Sequence, residues 1–223
     1  TADEVAAWQT RVHALAAAVT GDDDGADRVQ ATESHDEVPD GSTRVPAEIG
    51  GDDPASVHAF RRSTLGAVAM FAVRGVPMMF QGQEWADEDW FHDDKPLDWS
   101  RRDLRPGTVM LWRDLIHLRT VDGRTGGLRG DRVEVRVDGS VVIVRRWGLG
   151  GPDSATVVAL NLGSHDIDHV DLALPAIDGA RWDVVLATDW SGYQPGGSDL
   201  AVLVDGGCAL AGYAAVVVGR VDG

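Results

Sequence analysis

Thr32-Glu33-Ser34-His35-Asp36-Glu37-Val38 is the stretch from which the rest of this chain is read. It follows a short β-like run, Arg28-Val29-Gln30-Ala31, and opens into Pro39-Asp40-Gly41. A histidine and a carboxylate flanked by two glutamates therefore stand where a strand ends, a usual place for chemistry in an α/β barrel. On the N-terminal side, Thr1-Ala2-Asp3-Glu4 reads as a capping box. Val5, Trp8, Val12, Leu15 and Val19 recur at helical spacing behind it. Gly21-Asp22-Asp23-Asp24-Gly25 fails the calcium-loop template because Ala26 occupies its fifth position, so it reads as a solvated loop.

On the C-terminal side, Asp53-Pro54 predicts a helix start, N-cap then Pro. The helix is expected to run to about Arg74 with Val57, Phe60, Leu65, Val68 and Phe71 inward, and to stop at Gly75. Val76-Pro77-Met78-Met79-Phe80 reads as a short buried strand ending in Gln81-Gly82-Gln83-Glu84. An aromatic and acidic loop follows, then a helix over about 107–121 burying Val109, Trp112, Leu115, Ile116 and Leu118. Helix, strand, helix, strand with short connections predicts a parallel α/β sheet.

After Gly126-Gly127 the period changes from 3.6 to 2. Val133, Val135 and Val137 alternate, Asp138-Gly139 turns, and Val141 to Val144 return as a hairpin. Further apolar runs at 156–162, 170–174, 182–186, 200–204 and 214–218 predict an antiparallel sandwich or open barrel. The boundary falls near 124–130, dividing the chain into units over 1–125 and 126–223.

Bulk composition narrows the partners. The chain has 223 residues, 43% hydrophobic, and a formal charge of −16. That acidity argues against nucleic acid or an anionic membrane surface, and no apolar run is long enough to span a bilayer. One cysteine, Cys208, excludes an internal disulfide and a cysteine-based metal site; it reads as a buried, inert thiol. Thr1 opens directly onto a helix pattern, so no signal peptide is expected, and the abrupt start suggests a fragment or processed piece.

Three segments together resemble the α-amylase superfamily, glycoside hydrolase family 13. Glu33-Ser34-His35-Asp36-Glu37-Val38 is similar to the motif after barrel strand seven, in the form closest to glycogen branching enzymes. Residues 75–84 resemble the strand-eight motif, and Pro96-Leu97-Asp98-Trp99 the loop that follows in branching-type members. Residues 157–161 and 182–193 are similar to the family's C-terminal domain. The resemblance implies the last part of a (β/α)8 TIM barrel followed by an antiparallel β-sandwich. It implies a cytoplasmic enzyme of glycogen biosynthesis acting on α-1,4-glucosidic bonds, by transfer to a 6-hydroxyl. An α-amylase-like or trehalose-releasing hydrolase, and a non-catalytic glucan-binding or interaction module, stay open as alternatives.

The chemistry suits these residues. Cleaving a glycosidic bond develops positive charge at the anomeric carbon and ring oxygen, which a fixed carboxylate favours. By resemblance Asp36 is that transition-state stabiliser, and His35 donates to a hydroxyl of the same sugar. The two residues also fit a plainer reading, as caps of a strand end and a turn. Glu84 is placed near the sugar or, better, as an anchor of its own loop. Trp85, Trp90 and Trp99 offer aromatic planes to the C–H face of glucose, though core packing explains at least one of them as easily. Asp93 and Asp94 read as a solvated turn, and no metal or cofactor is implied. The partner expected is an α-glucan. A retaining glycosidase needs a nucleophile and a general acid roughly 5 Å apart; the family's motifs for both would precede Thr1. The chain alone is therefore expected to be inactive, and its open barrel faces to make it poorly soluble or self-associating.

Overall fold

The computed structural model describes residues 28–39, 41–176 and 180–222. The helix expected over 5–19, its cap at Thr1 and the acidic loop at 21–25 lie outside them. Within the described residues the chain forms two strands and four helices, then seven strands. The first group is β1 (Val29–Gln30), α1 (Val45–Gly50), α2 (Val57–Ala72), β2 (Val76–Pro77), α3 (Ser100–Leu104) and α4 (Pro106–Thr120). The second is β3 (Arg132–Asp138), β4 (Val141–Trp147), β5 (Thr156–Asn161), β6 (Ile167–Asp171), β7 (Ala180–Ala187), β8 (Gly207–Leu210) and β9 (Ala215–Asp222).

β1 and β2 run parallel, Val29 opposite Val76 and Gln30 opposite Pro77, with α1 and α2 as the crossover that parallel strands require. The buried strand expected over 76–80 is shorter and more open than its sequence suggests. Val76 is 60% exposed, and Met78 and Met79 remain on the surface. Among the described residues β2 has β1 as its one partner, in a two-stranded sheet.

α2 begins at Val57, later than Asp53-Pro54 predicts. The Ser56 hydroxyl, not Asp53, caps it by accepting the Ala59 amide at 3.2 Å, while residues 53–56 make the preceding turn. Val57 consequently lies on the solvent side, whereas Leu65, Val68 and Phe71 are buried as expected. In α4, which carries Pro106 in its first turn, Leu111, Trp112, Leu115 and Leu118 form the buried stripe. Ile116 sits at the stripe's edge and stays exposed.

The β region is an antiparallel five-stranded sheet in the order β3-β4-β5-β9-β7, with β6 and β8 paired separately. The β3–β4 hairpin pairs Asp138 with Val141, leaving Gly139-Ser140 as the turn, with Gly139 at φ 53°. Successive side chains alternate between two cores. Val142, Val144, Val158, Leu160 and Val217 point at the helices, while Val141, Ile143, Val157, Ala159 and Val216 point at the β6–β8 pair. Helices, five-stranded sheet and β6–β8 thus make three layers. Sandwiching the central sheet on both faces is why β4 and β5 read as continuous apolar runs rather than as alternation. The run at 200–204 does not form a strand: Ala201 and Leu203 pack inward, Leu200, Val202 and Val204 face out, and β8 pairs with β6 instead.

The helical core is continuous with the sheet's inner face. At the seam, Arg146 of β4, 2% exposed, donates to the carbonyls of Ala72 (3.3 Å) and Val73 (2.7 Å) and to Gly130. Arg119 of α4 donates to Phe71 (3.3 Å), Gly75 (2.6 Å) and Leu128. Both cations satisfy carbonyls at the C-terminal end of α2 and just beyond it, the electrostatically favourable end. Burial pulls the Arg146 guanidinium down to about 9, which leaves it charged at neutral pH.

Candidate functional site

The His35–Asp36 turn is held by what lies beneath it. At its N-terminal side, the Thr32 hydroxyl accepts Gln83 Nε2 at 2.8 Å, and Gln83 Oε1 in turn accepts the Phe80 amide at 2.7 Å. Next, Glu33, 2% exposed, accepts Arg44 Nη1 through Oε2 and the Val45 amide through Oε1, each at 2.9 Å. At the far side, buried Val38 accepts the Phe91 amide at 2.7 Å. Between these anchors the Glu37 and Val38 amides both reach back to the Ser34 carbonyl at 3.2 Å, closing a turn. That turn lifts His35 and Asp36 into solvent, at 69% and 83% side-chain exposure, with Nε2 and Oδ1 3.4 Å apart.

Arg44 is the hub of the arrangement. Besides Glu33, it donates to the carbonyls of Gln81 (2.9 Å) and Asp89 (2.7 Å), and its guanidinium lies 5.2 Å from the Phe80 ring. It is 1% exposed. One side chain thus ties the loop after β1 to the loop after β2. Burial pushes the Glu33 carboxyl above its ordinary value, against the downward pull of the Val45 amide and Arg44. A further pair, Asp87 with Arg101 at 3.0 Å, fixes the second loop, and Asp87 is also buried.

The remaining predicted residues separate by environment. Glu84 accepts the Gly82 amide at 2.9 Å and so anchors its own turn, where Gly82 adopts φ 89°. Trp85 is 1% exposed and packs on Trp99 at 5.0 Å, so its indole has no face free for a sugar; it is core. Trp90 is half-buried and packs on His92 at 3.4 Å. Trp99 is 60% exposed. Asp93 and Asp94 are exposed, and among the described residues no three His, Cys, Asp or Glu side chains converge as metal ligands. The turn can therefore offer a solvent-facing carboxylate and an imidazole on a rigid, hydrogen-bonded base. Sequence reasoning noticed Glu33 and assigned it no role, and it missed Arg44 altogether. A lone arginine before Val45-Pro46 carries no local signal, because its partners lie 11, 37 and 45 positions away.

Known proteins match both halves of this description. A family model described as a domain of unknown function, DUF3459, matches residues 130–217. The 1,4-alpha-glucan branching enzyme GlgB of Mesorhizobium japonicum is 30% identical over 174 residues, 75% of this chain. That of Rhizobium meliloti is 32% identical over 169 residues, 70% of this chain. The resemblance to the α-amylase superfamily and its branching enzymes is borne out. The chain spans 22% and 21% of the length of those two relatives. In structure, the catalytic module of the glycogen-degrading pneumococcal virulence factor SpuA superposes with a TM-score of 0.67 at 18% identity, over 96% of this chain and 39% of that one. A pullulanase complexed with maltotetraose, from Anoxybacillus sp. LM18-11, gives 0.64 at 16% identity, over 96% of this chain and 31% of the other. At such identities the structural matches establish a shared fold. No helix among the described residues is long and apolar enough to cross a membrane.

Proposed function

We propose that this chain is the closing part of the catalytic (β/α)8 barrel of a cytoplasmic 1,4-α-glucan branching enzyme, residues 1–125, followed by its C-terminal β-sandwich, residues 126–223. The observation that carries the reading is the His35–Asp36 turn, presented to solvent at the end of β1 and braced by the buried Glu33–Arg44 pair. The branching enzymes of Mesorhizobium and Rhizobium, matched over most of the chain, support transfer rather than hydrolysis.

In this reading Asp36 stabilises the positive charge that develops on the sugar, and His35 donates to a hydroxyl of the same residue. Trp90 borders the glucan. Glu84 acts through the loop it anchors and does not touch substrate. The nucleophile and general acid are supplied outside the chain's own motifs, so the 223 residues alone turn over no glucan.

In the protein that carries this chain, Asp36→Asn is expected to lower kcat on amylose about a hundred- to a thousandfold. Stability should stay unchanged, because Asp36 is mostly solvated. Loss of iodine colour without new reducing ends marks branching; an Asp36→Asn enzyme with full activity would sink the assignment. The isolated 223-residue chain should leave amylose unaltered in the same assay.

A further inference from the structure

A cavity of about 610 Å³ lies between α2, α4 and the loop around Tyr193. That volume falls within the roughly 300–1,000 Å³ of small-molecule sites. Phe60, Trp112 and Tyr193 supply aromatic wall, and the exposed side chains of Val57 and Leu104 stand at the rim. The two charged wall residues are already paired, Glu33 with Arg44 and Arg105 with Glu88. An ionic ligand would therefore find no open counter-charge on this wall.

One group on the wall is unsatisfied. Gln194 is 4% exposed, and among the described residues neither its amide nitrogen nor its amide oxygen has a hydrogen-bond partner. A buried amide left unpaired is costly, and native interiors seldom leave both ends of one side chain empty. An amide sets a donor and an acceptor side by side, which matches a vicinal pair of hydroxyls. The Ser63 and Thr64 hydroxyls on the opposite wall donate to the helix carbonyls of Ala59 and Phe60, at 2.7 and 2.9 Å, and keep lone pairs for further donors. We infer that this cavity binds a neutral polyhydroxylated ligand of mono- or disaccharide size. Its hydroxyls pair with Gln194 and its C–H face lies against Trp112. The inference does not depend on the role proposed for Asp36.

Maltose is the probe, titrated into the 223-residue chain with tryptophan fluorescence as the signal and equilibrium dialysis as the check. Saturable binding is expected. Gln194→Leu should weaken it about tenfold or more, the worth of one to two hydrogen bonds. Ala55→Trp, at the exposed mouth of the cavity, should weaken it comparably, and it decides the matter if Gln194→Leu fails to fold. The proposal is overturned if maltose does not bind saturably or if Ala55→Trp leaves binding intact. Tighter binding of glucose 6-phosphate than of glucose would overturn the neutral-ligand assignment. Failure of the Asp36 role would show in the activity assay and leave this titration unmoved.

Discussion

Glu33 and Arg44 bury a full positive and negative charge 2.9 Å apart, each almost wholly out of water. Desolvation of such a pair is expensive, and its net worth lies in what each partner does for the other. Glu33→Ala is expected to destabilise the protein by about 3–5 kcal/mol, because it strands the guanidinium in the interior. Replacing both, Glu33→Leu with Arg44→Met, should recover at least half of that loss. Recovery stops short of complete because the Gln81 and Asp89 carbonyls still lose their donor. Chemical denaturation of the two single variants and the double variant measures this. Losses that simply add would show that the pair is not the brace described here.

Asp122 connects α4 to the irregular turn at Gly123–Arg129, and it shows how one side chain closes an element. Its carboxylate caps that turn by accepting the Arg124 amide at 2.8 Å and grips the Arg124 guanidinium at 2.6 Å. Those Arg124 bonds hold the Asp122 carboxyl below the ordinary carboxylate range. A carboxyl lowered on folding contributes stability above its unfolded pKa, near 3.9, and that contribution fades as pH falls through the lowered folded value. Asp122→Ala is therefore expected to cost about 1 kcal/mol at pH 7, a typical cap. The gap between variant and parent should close as pH drops below about 4. A gap that persists unchanged at pH 2 would refute the account. The elements also show where local pattern misleads. Pro54 pointed to a helix start at Asp53, yet Ser56 is the residue whose hydroxyl meets the third helical amide. The alternating run at 200–204 has strand composition, but β8 already occupies the partner edge of β6.

The helices and the five-stranded sheet share one continuous core and are cross-linked by Arg146. They are accordingly expected to unfold together. Thermal melting followed by far-UV circular dichroism and by tryptophan fluorescence should give one coincident transition. Two resolved transitions would mean that the β-sandwich is independent of the helical part. The sequence alone determined most of the buried stripes of α2 and α4, the hairpin at Gly139, the shift to period 2 after Gly127, and the His35-Asp36 signature, because each is written in neighbours a few positions apart. The tertiary structure decided which aromatic rings remain open, that Trp85 is core and Trp99 is exposed, and that Arg44 ties two loops together. It also placed an unpaired Gln194 on a cavity wall. Those depend on residues tens of positions apart meeting out of water, where the cost of an unpaired charge or amide, rather than local propensity, selects the arrangement.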